Sequence, residues 1–69
     1  MKLEYWSANN RYADNNVTSV VSDGNDVLVF TADYGSHHKY LITGNTIRRY
    51  ELTSSYFRVQ PVRAWRISA

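Results

Sequence analysis

The residues of this 69-residue chain best suited to chemistry are the adjacent pair His37-His38 and the glutamate Glu51. Neighbouring strand residues point to opposite faces, so the two imidazoles share one ion only if they sit in a turn. No cysteine or third histidine completes a ligand set. His38 and Glu51 have the composition of an acid–base pair, but on an exposed sheet such a pair lacks a pocket, an oriented nucleophile and oxyanion donors. Asp23-Gly24-Asn25-Asp26 looks faintly like a calcium loop. It lacks the alternating ligands and distal glutamate of an EF-hand, and Asx-turn chemistry accounts for it. Ser54-Ser55 reads as a turn outside any G-x-S-x-G context, and Gly24, Gly35 and Gly44 are too scattered to cradle a phosphate. These readings predict a protein that is not an enzyme and needs no cofactor or metal.

A second kind of chemistry is carried by Arg48, Arg49, Tyr50, Tyr56, Arg58, Arg63, Trp65 and Arg66, which concentrate in the C-terminal third. Guanidinium and aromatic groups stack on bases and clamp phosphates, the chemistry of single-stranded nucleic-acid binding. No RNA-binding signature accompanies them, and a net charge of +2 is low for a basic stripe. Six tyrosines with abundant Asn and Ser also match the composition of protein-binding surfaces, where Tyr and Arg are favoured hot-spot residues. Tyr5, Phe30, Tyr40, Phe57 and Trp65 are assigned to the core. Arg48, Arg58, Arg66, Tyr12 and Tyr34 are assigned to partner binding, on loops or outer faces. The expected function is non-enzymatic docking onto a macromolecule, with a protein partner favoured, in the manner of a small phage-type or mobile-element inhibitor. A single-stranded nucleic-acid binder and a structural subunit (a homo-oligomer) assembling through β-edges are the alternatives.

Several short elements must position these groups. Lys39 to Leu52 (KYLITGNTIRRYEL) reads as a hairpin about Gly44-Asn45, since both residues tolerate the positive φ of a two-residue turn. That turn sets Ile42 opposite Ile47, Tyr40 opposite Arg49, and His38 opposite Glu51. Gly24-Asn25-Asp26-Val27 repeats the signature twenty positions earlier, so two similar hairpins follow one another. Lys2–Trp6 and Val17–Ser22 read as flanking strands, and Val27–Ala32, apolar on both faces, as a central strand buried on both sides or one at a tight barrel corner. Ser7–Asn16, with four asparagines, reads as a loop. In Tyr56–Ser68 the odd positions form the predicted core face, with Arg63 excepted and Pro61 marking an edge, bulge or kink. No stretch shows a capped 3.6-residue apolar period. The predicted class is all-β, a small antiparallel five- or six-stranded barrel or curled meander built on the two hairpins.

Length and composition set the remaining bounds. Residues 1–69 make one small domain that buries about 60% of its unfolded surface. The absence of cysteine rules out disulfides and thiolate chemistry and fits a reducing cytoplasm. The N-terminus carries no apolar leader segment, and the longest apolar run, Val27–Phe30, is far below the roughly 20 residues of a membrane span. A soluble, cytoplasmic, complete gene product without a membrane partner is therefore expected. Residues 1–35 hold two basic and five acidic side chains, whereas residues 36–69 hold six basic and one acidic. Charge divided in this way points either to an anionic partner for the basic half or to two halves that pack into one barrel and largely offset each other's charge.

Overall fold

The computed structural model describes residues 1–33, 36–51 and 57–69. Tyr34 and Ser54-Ser55 lie outside the described residues, as do the side chains of His37, His38, Glu51 and Phe57. The chain folds into eight strands: β1 (Lys2–Ser7), β2 (Asn10–Asp14), β3 (Val17–Asp23), β4 (Asp26–Asp33), β5 (Ser36–Thr43), β6 (Thr46–Glu51), β7 (Phe57–Pro61) and β8 (Ala64–Ser68). They form two antiparallel sheets, a three-stranded one in the order β2-β1-β8 and a five-stranded one in the order β3-β4-β5-β6-β7. The all-β prediction holds, and the five-stranded sheet is the meander. The described residues contain eight strands rather than five or six, and the two sheets do not close into a barrel.

The central hairpin forms in the expected register, with Ile42 opposite Ile47, Tyr40 opposite Arg49 and His38 opposite Glu51. Gly24 and Gly44 occupy the left-handed region at φ 62° and 57°, while Asn25 and Asn45 do not. Positive φ at the first central residue alone is the type II′ pattern, which matches the twist of the flanking strands. A third two-residue turn joins β1 to β2. There Ser7 pairs with Asn10, and Ala8 takes the glycine-like position at φ 53°. The stretch read as a loop is therefore half strand. Its asparagines lie beside an alanine that carries no turn signal.

Each sheet turns one side to a shared interior. Leu3 and Tyr5 of β1 meet Val17, Val29, Tyr40, Ile42 and Ile47 of the five-stranded sheet, and Val62 closes the corner. Trp65 and Ile67 of β8 pack against the margin of this cluster. In β3 an irregularity between Val17 and Ser19 shifts the alternation by one residue, so Val17 is buried and Val20, three positions on, also packs against the core. At the bend between β7 and β8, the Val62 amide donates to the Asn45 carbonyl at 2.7 Å and the Arg63 amide to the Trp6 carbonyl at 2.9 Å. This bend resets the side-chain parity. Trp65 and Ile67 face inward as predicted, but Val59 and Pro61, odd positions of β7, face solvent. A chain crossing from one sheet to the next does not preserve a period of two, and the predicted core face therefore holds only after the bend, at Trp65 and Ile67.

Candidate interaction surfaces

The side chains of β3 to β7 that do not face the interior form one continuous outer surface. Cross-strand pairing aligns Val21, Leu28, Leu41, Arg48 and Val59 in a row that crosses all five strands. Val21 is 47% exposed and Val59 50%, while Leu28 and Leu41 between them are half-buried by their neighbours. The adjacent row holds Ser19, Phe30, Lys39 and Tyr50, with the Lys39 ammonium 5.1 Å from the centre of the Tyr50 ring. Phe30, expected in the core, belongs to this outer row. It alternates with the buried Val29 and Thr31, so its ring must point the other way. The double-sided apolar pattern of Val27–Ala32 signalled this face. Burial on both sides is the expectation from that pattern, whereas the second apolar side, with Leu28 and Phe30, is only partly covered.

The inner layer is capped at one end by tyrosines. Tyr5 stacks on Tyr12 with ring centres 5.0 Å apart and planes 13° from parallel, and meets Tyr40 edge-on at 6.0 Å. The Tyr40 hydroxyl donates to Asp14 Oδ2 at 2.9 Å, and Gln60 Nε2 reaches the Tyr12 hydroxyl at 3.4 Å. Burial raises the pKa of both the Tyr5 and the Tyr40 phenols, and the neighbouring Asp14 carboxylate raises that of Tyr40 further.

The outer side of the three-stranded sheet is built differently. Glu4, central on β1, has a side chain only 3% exposed. Its cover is made of cations. Arg11 donates from Nε at 2.9 Å and from Nη2 to Oε2, Arg66 donates from Nε to Oε1 at 2.9 Å, and Lys2 Nζ stands 3.8 Å from Oε1. The Arg11 and Arg66 hydrogen bonds hold the Glu4 carboxyl below its ordinary value of 4.5. A carboxyl whose pKa is lower folded than unfolded stabilises the fold above that ordinary value, and the contribution is lost as pH falls through the depressed one. Urea midpoints measured from pH 7 down to pH 2 are therefore expected to drop below about pH 4.5. Glu4→Gln should lower the neutral-pH midpoint and shrink that acid limb. An unchanged limb in the variant would mean that other carboxyls carry it.

Of the five residues predicted to bind a partner, the four that are described do not share a face. Arg48 lies in the outer row of the five-stranded sheet and Arg66 on the outer side of the three-stranded one. Arg58 sits opposite Arg49, on the interior-facing side of the edge strand β7. Tyr12 is half-buried against Tyr5, and Tyr34 lies outside the described residues. Gln60, two positions along β7 from Arg58, reaches the Tyr12 hydroxyl, whereas Arg48 and Arg66 lie on two different sheets. Sequence reading missed Val21, Leu28, Leu41 and Val59 on one side and Lys2, Arg11 and Trp6 on the other. Two shallow, open indentations lie at the β7–β8 corner, lined by Ala8, Gly44, Asn45, Pro61, Val62, Arg63, Ala64 and Trp65, and hold no carboxylate or imidazole. No helix among the described residues is long and apolar enough to cross a membrane. No protein-family model matches the chain, and neither a curated protein nor a solved structure shows significant similarity to it.

Proposed function

We propose that the protein acts without catalysis, by docking the outer face of its five-stranded sheet onto another protein whose surface is apolar and bears carboxylates. The row Val21–Leu28–Leu41–Arg48–Val59 carries this reading. A contiguous apolar strip on a small domain costs solubility and is retained where a partner covers it. Interface centres combine such apolar groups with aromatic and Arg side chains, as Phe30, Tyr50 and Arg48 do here. Lys39 and Arg48 supply the charge of β5 and β6 on this face, so the fitting partner presents acidic groups opposite them. Such a protein acts stoichiometrically, by occupying its partner's surface, which is the manner of a small inhibitor.

The test is an affinity pull-down with immobilised wild-type protein and variants of each side. One specific protein should be retained by the wild type and by Arg58→Ala. Leu41→Asp and Val21→Lys should lose it by roughly 30-fold or more in affinity, the effect of removing a hot-spot contact. Val21 is an exposed edge-strand position, so Val21→Lys stays folded even if the central Leu41→Asp does not. Equal retention by both variants, checked for folding by circular dichroism, overturns the assignment.

A further inference from the structure

We infer that the outer face of the three-stranded sheet is a second, separate binding site, for single-stranded nucleic acid. Its side chains are Lys2, Glu4 and Trp6 of β1, Arg11 and Ala13 of β2, and Ala64, Arg66 and Ser68 of β8. Three cations surround one carboxylate, which leaves two positive charges in excess. No large aliphatic is present, unlike the other face, so nothing here fits the apolar centre of a protein interface. The cations are exposed even though they are paired, Arg11 by 52% and Arg66 by 66%. Glu4 binds Arg66 through Nε, and the two terminal nitrogens of that guanidinium make no other bond among the described residues. A guanidinium held by one carboxylate and open on its other edge is already oriented for a phosphate, and little side-chain freedom remains to be lost on binding.

The second ingredient is Trp6. It is half-buried on the same face, its cross-strand neighbours are Arg11 and the small Ala64, and the Arg66 guanidinium lies 6.0 Å from its ring. An indole beside two fixed guanidiniums offers a platform for a base next to seats for the flanking phosphates. Bases of a duplex are already stacked on one another, so a single strand is the form that can use the ring. From Lys2 to Trp6 the strand extends about 13 Å, which accommodates a few nucleotides.

The experiment is a fluorescence-anisotropy titration of a labelled eight-residue oligothymidylate at 50 and 150 mM salt. Binding is expected to weaken roughly fivefold over that range, the dependence of about two phosphate contacts on a single strand. Trp6→Leu, which keeps an apolar side chain but no stacking face, should weaken binding roughly tenfold. Arg66→Gln should lower the logarithmic salt slope by about 0.7. Circular dichroism confirms that each variant is folded, and Arg11→Gln replaces Arg66→Gln if the latter is not. Loss of the complex with Leu41→Asp to the same extent as with Trp6→Leu would place the strand on the other sheet and overturn the inference. So would displacement by tripolyphosphate as readily as by unlabelled oligothymidylate, the behaviour of an anion site without base stacking, or unaltered affinity in both Trp6→Leu and the arginine variant. Capture of a protein through the five-stranded face leaves these outcomes untouched, so the two readings fail separately.

Discussion

Leu3→Ala is expected to lower the stability of the folded protein by about 3–5 kcal/mol, read as a fall in the urea midpoint at unchanged slope. Leu3 is 0% exposed and lies near the start of the central strand of the smaller sheet, paired with Asp14 on one side and Ile67 on the other. Truncating it removes transfer free energy and leaves a cavity against Val17, Val29 and Ile42, strands that cannot all move inward at once. A chain of this length has roughly 3–10 kcal/mol of total stability, so the variant sits close to unfolding. Val21→Ala is the control: the same chemistry on the outer row should cost less than about 1 kcal/mol. A loss at Leu3 no larger than at Val21 would mean that the layer between the sheets is not sealed at that end.

The other large effect is expected at Tyr5. Tyr5→Ala removes a buried ring that touches both Tyr12 and Tyr40. Loss of a buried aromatic costs about 3–5 kcal/mol, part of which is the ring-to-ring geometry at about 0.5–1.5 kcal/mol per pair. Tyr5→Phe keeps the ring and should cost far less, so comparison of the two separates ring from hydroxyl. Ionisation supplies an independent check. A phenol whose pKa is higher folded than unfolded stabilises the fold below its ordinary value of 10.0, and that stability is lost as pH rises beyond it. Wild-type urea midpoints should therefore fall above about pH 10. Tyr5→Phe should reduce this alkaline limb without abolishing it, because Tyr40 remains on Asp14. A midpoint flat through pH 11 in the wild type would contradict the packing described.

The contacts legible in the sequence are those that a single turn controls. Gly44-Asn45 specified three cross-strand pairs correctly because a two-residue loop leaves one register open to the chain. Three features escaped, each for a physical reason. The β1–β2 turn places Ala8, a residue with no preference for positive φ, where glycine is usual, and the asparagines around it read as irregular. The outer row was hidden because a strand apolar on both sides reads the same whether its second side meets a core or a partner. Phe30 and Val59 were misplaced for this reason and for the parity change at the β7–β8 bend. The Glu4 cluster was illegible because Arg66 lies 62 positions away, and only the pairing of the first strand with the last unites them.

That pairing also dictates an order of assembly. Every link within the five-stranded sheet joins consecutive strands, so each closes a short loop at small entropic cost. Joining residues 2–6 to residues 64–68 closes nearly the whole chain, and it gains nothing until the larger sheet has brought the two strands near each other. The β1–β8 contact therefore belongs to the last stage of folding. Weakening it by substitution in β8 accelerates unfolding while leaving the folding rate nearly as it was.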